Sequence, residues 1–84
     1  MQDIKEKVKF ILIDKIGVSE SEISPDANFV KDLGIDSLDF AELVMEFEKS
    51  FDIKIPDSDT EKIQTVEEAI AYVSTKLMEK SNEE

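Results

Sequence analysis

The stretch Leu-Gly-Ile-Asp-Ser-Leu-Asp at residues 33–39 lies between a polar connection and the most regular part of the chain. Asp36 is a favourable N-cap residue, and Asp39 follows three residues later, in the position of a capping-box acid. Acidic side chains in a first helical turn also interact favourably with the helix dipole. The stretch therefore predicts a helix that begins at Ser37, with the serine hydroxyl at its exposed start.

The residues after this start predict a helix over 37–50 that has two apolar faces. The face expected to meet the core has helical spacing and consists of Phe40, Leu43, Val44, Phe47 and Phe51. The second face consists of Leu38, Ala41 and Met45, with Glu42, Glu46 and Glu48 around it. An apolar strip bordered by acids is typical of a docking surface for a basic partner. The alternative is that Leu38 and Met45 are ordinary exposed apolar residues.

Apolar periodicity predicts one more substantial helix on each side. The first runs from about residue 3 to residue 16, and Gly17 would end it. The last begins at a capping box formed by Thr65 and Glu68, and frays near Lys80. Between the first two helices, residues 17–35 form a long loop with apolar anchors and one short helical turn near residues 19–23.

A short helix is expected between the two later segments. Residues 53–56 alternate like an extended segment, and Pro56 then opens a helix with Asp57, Asp59 and Glu61 near its start. The sequence thus predicts an all-α fold. We expect a small four-helix bundle, with three longer helices, one short helix and a long first loop. Residues 1–84 would form a single domain, and residues 81–84 a disordered tail.

The charge of the chain is strongly negative and unevenly distributed. The net charge is -11, and residues 36–61 contain nine acids against Lys49 and Lys54. Such a field repels nucleic acid and anionic membranes, and it attracts basic protein surfaces in a salt-dependent way. An acidic surface can also simply keep a small protein soluble.

The composition argues against an enzyme. The chain contains no Cys, His or Arg, so a thiol nucleophile and the commonest general base are missing. Ser37 does not lie in a Gly-x-Ser-x-Gly elbow. No apolar run approaches the ~20 residues of a membrane span, so none is expected.

Calcium binding fits the sequence poorly. Asp26 and Asn28 begin like an EF-hand loop, but Val30 and Lys31 occupy positions that need a ligand and a glycine. The acids at 57, 59 and 61 would hold a divalent ion only weakly, and we interpret them as solvated charges. From the residues alone, a plain helix-start serine is the favoured reading of Ser37 over a modified one.

Longer motifs in the sequence favour a modified Ser37 over a plain helix-start serine. The run Asp-Leu-Gly-Ile-Asp-Ser-Leu-Asp at residues 32–39, followed by Glu-Leu-Val at 42–44, resembles the attachment motif of acyl carrier proteins. Residues 29–33 resemble the approach to that motif, and residues 51–57 and 63–66 resemble its later segment. The spacing is similar from about residue 4 to residue 73. The chain is most similar to the free-standing carriers of dissociated fatty acid synthesis.

The resemblance implies a covalent cofactor. Ser37 would carry 4′-phosphopantetheine through a phosphate ester, transferred from coenzyme A by a phosphopantetheinyl transferase. The protein would be a cytoplasmic, monomeric carrier in lipid biosynthesis, and it would not be a catalyst. Alternatives are a dedicated carrier for polyketide, lipopeptide or specialised lipid assembly, and an unmodified acidic interaction module.

The resemblance also implies two surfaces. Basic regions of fatty acid synthesis enzymes would meet a docking surface formed by Asp36, Leu38, Asp39, Glu42, Met45, Glu48, Asp57 and Glu61. The acyl chain would enter between the second and third helices, in a pocket lined by Phe40, Phe47, Ile55, Ile63 and Ala69. Phe40 and Thr60 depart from the family pattern near the pocket, and Glu46 and Lys49 depart from it on the docking helix. A bulky Phe40 could narrow the opening.

Overall fold

The computed structural model describes residues 4–82, which form four α-helices connected by loops. The helices are α1 (Ile4–Ile16), α2 (Ser37–Phe51), α3 (Asp57–Thr60) and α4 (Val66–Asn82). Residues 20–22 add a short 3-10 turn where one was predicted, and no β-strand is formed within 4–82. The all-α expectation of three longer helices and one short one is therefore confirmed.

The ends of the helices differ slightly from the predictions. α2 ends at Phe51, one residue beyond the predicted end, and Asp52 closes it in a left-handed conformation with a φ of 55°. α4 continues through Asn82, so the helix enters the segment expected to be a tail. Residues 83 and 84, and the expected first-helix start at residue 3, lie outside the described residues.

The start of α2 is fixed by one side chain. Asp36 has an extended backbone, and its Oδ1 accepts the amide N–H of Asp39 at 2.8 Å. The cap predicted from the sequence is thus confirmed. In a complete capping box, the Asp39 carboxylate would also accept the amide N–H of Asp36. This second bond is not formed within residues 4–82, so the capping box is only half formed. Gly34, with a φ of +70°, makes the turn that leads the chain into this cap.

The long first loop is held against the rest of the protein. The amide N–H of Phe29 donates to the Gln64 carbonyl at 2.9 Å, and the amide of Val66 donates to the Ala27 carbonyl at 3.1 Å. Val18, Ile23, Ala27, Phe29 and Ile35 are buried. The loop therefore lies across the bundle, tied to the start of α4.

Among residues 4–80, the core is continuous and every buried side chain is apolar. α1 packs on both α2 and α4. The buried side chains of these helices are Val8, Ile11, Leu12, Leu43, Val44, Phe47, Phe51, Val66, Ala69 and Val73. The expected core stripe of α2 is confirmed except at Phe40, which was expected to face the core and is only half-buried. The Phe40 ring packs at the edge of the core, with its centroid 6.0 Å from that of Phe29.

Two leucines on α2 provide a matched test of this core. Leu43 is fully buried, whereas Leu38 is 68% exposed. Leu43→Ala should lower the free energy of unfolding by about 2–5 kcal/mol, because it removes packed methyl groups and leaves a cavity. Leu38→Ala should change it by less than about 0.5 kcal/mol. Urea unfolding of both variants measures the difference, and equal losses would contradict the assigned faces of α2.

The Asp36 cap should contribute measurably to the stability of the fold. Asp36→Ala should lower the free energy of unfolding by about 1 kcal/mol, because the amide of Asp39 loses its acceptor. Asp36→Asn should retain most of that stability, since its amide oxygen can accept the same bond. Chemical denaturation compares the two. If the alanine and asparagine variants were equally unstable, the charge rather than the cap would be responsible.

Candidate functional site

Ser37 is the first residue of α2, and its side chain is exposed. Because Asp36 supplies the cap, the serine hydroxyl is not needed to satisfy the helix end. The hydroxyl makes no hydrogen bond to any residue in the described range 4–82. The result is an accessible primary alcohol that makes no hydrogen bond to a base among the described residues, which suits modification by a separate enzyme better than nucleophilic attack of its own.

The acidic and apolar residues predicted for docking are exposed at α2 and around α3, with the exception of Glu48. Leu38 and Met45 are 68% and 56% exposed, and they belong to the same helix as the exposed acids Asp36, Asp39 and Glu42. Asp57 and Glu61, at and just after α3, are exposed as well. We call these seven residues the acidic face. Its acids could interact with the basic surface of another protein.

The acids of this face are not neutralised by nearby lysines. Within residues 4–82, no ion pair includes Asp36, Asp39 or Glu42. Two lysines lie instead at the C-terminal end of α2. Lys7 donates a hydrogen bond to the Ser50 carbonyl, and Lys80 donates one to the Asp52 carbonyl. Lysines at a helix C-terminus complement the helix dipole. The charge near Ser37 therefore stays uncompensated while the far end of α2 is stabilised.

Glu48, also predicted for docking, has a structural contact. Its Oε2 accepts the amide N–H of Ile55 at 2.7 Å, and the side chain is half-buried. This bond ties α2 to the extended segment before α3. No local sequence pattern indicates this bond, because the two residues belong to different elements. Glu46, next to it, accepts a hydrogen bond from Ser50 and pairs with Lys15 at 3.7 Å.

A pocket of about 390 Å³ lies between the loop, the start of α2 and α3. Its lining consists of Asn28, Phe29, Val30, Lys31, Phe40, Thr60, Glu61, Ile63 and Gln64. Phe40, the lining residue from α2, lies about one helical turn after Ser37.

The residues predicted to line an acyl pocket are divided between this pocket and the core. Phe40 and Ile63 line this pocket, whereas Phe47, Ile55 and Ala69 are buried in the core and do not line it. These three were chosen for their apolar character and helical position, which a core residue shares with a pocket residue. Phe29 also lines this pocket, but it was not among the predicted pocket residues. Its position as an apolar residue of the loop shortly before the attachment motif was a usable signal.

The acids around α3 do not form a cation site. Asp59 pairs with Lys62 at 3.4 Å and accepts a hydrogen bond from the Tyr72 hydroxyl. In the part of the chain that the structure describes, no group of three or more acidic side chains is close enough to hold a metal ion. None of its helices is both long and apolar enough to cross a membrane.

Comparison with known families adds direct evidence about the cofactor. A protein-family model described as "Phosphopantetheine attachment site" matches residues 6–73, which is well over half of the chain. The match includes the capped start of α2, the acidic face and the pocket. Domains of this family are the sites at which 4′-phosphopantetheine is attached covalently. The chain therefore belongs to the phosphopantetheine attachment family, as a phosphopantetheine-carrying carrier protein.

Proposed function

We propose that this chain is the acyl carrier protein of a dissociated fatty acid synthesis system, with its 4′-phosphopantetheine arm on Ser37. The observation that carries the proposal is the exposed Ser37 hydroxyl, without a hydrogen bond in the described residues, at a helix start already capped by Asp36. The bound arm would supply a terminal thiol that holds acyl groups as thioesters.

The residues around Ser37 fit an arm attached there. A phosphate ester at the first residue of α2 would lie close to the amide groups and positive dipole end of that helix. Asp36 and Asp39 oppose this anion electrostatically, so the transferase has to supply the compensating positive charge. The acids of the acidic face would bind basic groups on that transferase, and Leu38 and Met45 would add apolar contact.

The pocket supports an apolar cargo. Phe29, Phe40 and Ile63 provide an apolar lining, and Phe40 lies about one helical turn after Ser37. A hydrocarbon chain placed there would be removed from water, and it would leave without breaking any hydrogen bond. The fatty acid assignment rests on this lining and on the resemblance of α2 and the segment at residues 53–57 to the free-standing carriers. Such a carrier would act as a monomer in the cytoplasm and would catalyse no step itself.

The acidic face supports a carrier that visits several enzymes in turn. Association between charged surfaces is fast because long-range attraction steers the encounter. Affinity can then stay modest, since the exposed acids are solvated and screened by salt. In this role Asp57 and Glu61 extend the contact from α2 onto the neighbouring segment. Glu48 would contribute mainly by keeping the segment after α2 in place.

The attachment site can be tested with a matched pair of serines. Ser37 and Ser58 both follow an aspartate and both are exposed at a helix start. With coenzyme A and a phosphopantetheinyl transferase, the wild type and Ser58→Ala should gain the mass of one arm, and Ser37→Ala should gain none. Intact mass spectrometry reads the result. Labelling of Ser37→Ala would contradict the assignment of Ser37 as the attachment site.

The same loaded protein separates the possible cargos. If the proposal is right, condensing enzymes of fatty acid synthesis will extend an acyl group on the wild-type carrier. A protein that is loaded but not extended by those enzymes would instead be a carrier for polyketide, lipopeptide or specialised lipid assembly. A protein that is never loaded would be an unmodified interaction module.

If partner enzymes dock on the acidic face, the rate of association should depend strongly on the charge of that face. Glu42→Lys should slow association with a condensing enzyme about tenfold at low salt, because it reverses a steering charge. Glu6→Lys makes the same change of net charge on the exposed surface of α1, and it should have a much smaller effect. Stopped-flow association at several salt concentrations measures both. Equal effects, or rates that ignore salt, would rule out the acidic face as the docking surface.

A further inference from the structure

The short helix α3 is held unusually loosely for an element beside the pocket. It has only four residues, Asp57–Thr60, and none of their side chains is buried. The buried residues Ile55 and Ile63 hold the chain before and after it. Helix α3 therefore bridges two apolar anchors without an anchor of its own, and few interactions oppose its local movement.

One side-chain hydrogen bond connects α3 to another helix. The hydroxyl of Tyr72, on α4, donates to the Asp59 carboxylate, and across residues 4–82 no other side-chain hydrogen bond joins α3 to a helix. The Tyr72 ring is held in turn by Lys76, whose Nζ lies 5.6 Å from the ring centroid.

The protonation states of this pair favour the bond. Partial burial, and then the Asp59 carboxylate, raise the pKa of the Tyr72 phenol well above its usual range. The hydrogen bond from Tyr72 in turn lowers the pKa of Asp59, with further help from Lys62. A neutral phenol and an ionised carboxylate make a charge-assisted hydrogen bond, which is stronger than one between neutral groups.

The bond and the pocket involve adjacent residues of α3. Asp59 borders a groove that it shares with Tyr72 and Lys76 of α4. Thr60, the last residue of the same helix, and Glu61 line the pocket that contains Phe40. A movement of α3 away from α4 would therefore displace one wall of the pocket.

The other apolar walls are much less free to move. Phe29 and Ile63 are almost completely buried, and displacing them would disturb the packed core. Phe40 is packed against Phe29, with 6.0 Å between their ring centroids. The wall formed by Thr60 and Glu61 lies between the anchors Ile55 and Ile63. Within residues 4–82, the bond from Tyr72 to Asp59 is the one side-chain hydrogen bond that joins α3 to another helix.

We propose that Tyr72 is a positioning residue for the acyl pocket. Its bond to Asp59 holds α3, which forms the movable wall of the pocket. The bond thereby limits the length of the acyl chain that the pocket accepts. This inference rests on the proposed carrier function and deepens it. Tyr72 touches neither the arm nor the chain, and it acts only through α3.

The first test uses the unmodified protein, so it does not depend on the arm. Tyr72→Phe removes one oxygen and keeps the ring that packs beside Lys76. Amide hydrogen exchange should become roughly 3- to 10-fold faster at Asp59, Lys62 and Ile63, whose amides bond within and just after α3. Amides in the middle of α4 should exchange as in the wild type.

The second test measures the pocket. Because the chain contains no cysteine, Ser37→Cys can be joined chemically, at that position alone, to a pantetheine-length linker that ends in a six-carbon or a fourteen-carbon chain. In the Tyr72→Phe background, the longer chain should raise Tm by at least roughly 2 °C more than it does with Tyr72 present. The shorter chain should give the same rise in both backgrounds.

Two further variants separate positioning from general loss of stability. Asp59→Ala should reproduce the effect of Tyr72→Phe, and the double variant should show no additional effect, because both changes remove the same bond. Lys80→Gln removes a contact between α4 and Asp52 at the end of α2. It should lower Tm without any dependence on chain length.

The outcomes are distinct. Unchanged exchange at α3 in Tyr72→Phe, or an equal response to both chain lengths, would overturn the positioning role. Additive effects of Tyr72→Phe and Asp59→Ala would do the same. Since the chains are attached chemically, failure of a phosphopantetheinyl transferase to modify Ser37 would count against the proposed function and would leave these measurements intact.

Discussion

The hydrogen bond from the amide of Asp39 to the Asp36 carboxylate is the interaction on which the rest of this protein depends. It decides that α2 begins at Ser37 and not a residue earlier or later. From that start, the helical periodicity of α2 places Leu43 and Phe47 in the core and leaves Ser37 and Leu38 exposed. The same bond satisfies the helix end, so the neighbouring serine is left exposed and available for modification.

The distribution of charge along α2 follows from two different requirements. At its C-terminal end, lysines from α1 and α4 bond to backbone carbonyls and to Asp52, which holds three helices together. At its N-terminal end, the acids have no lysine partners within the described residues. The helix is therefore stabilised at one end, while the charge at the other end stays available for association with basic proteins.

The packing of the bundle leaves the side that contains α3 less firmly held than its core. α1, α2 and α4 share a continuous apolar interior. On the other side, α3 contributes no buried side chain and depends on Ile55, Ile63 and the Tyr72 bond. A carrier that shelters cargos of different length needs one adjustable wall next to a rigid framework. This division between a packed core and a lightly held helix would provide it.

The sequence by itself determined the helices, the cap, the exposed serine and the part of the acidic face that lies on α2, because all of these depend on residues within one or two turns of each other. Helical periodicity and the Asp36 cap are local signals, and the attachment motif is contiguous. Only the tertiary structure decided which apolar residues line the pocket. It placed Phe29 of the loop beside Phe40 of α2 and Ile63 after α3, and it left Phe47 in the core. It also decided the bonds from Glu48 to Ile55 and from Tyr72 to Asp59. These contacts join different elements, so they depend on how the helices pack, and no local pattern of residues encodes that.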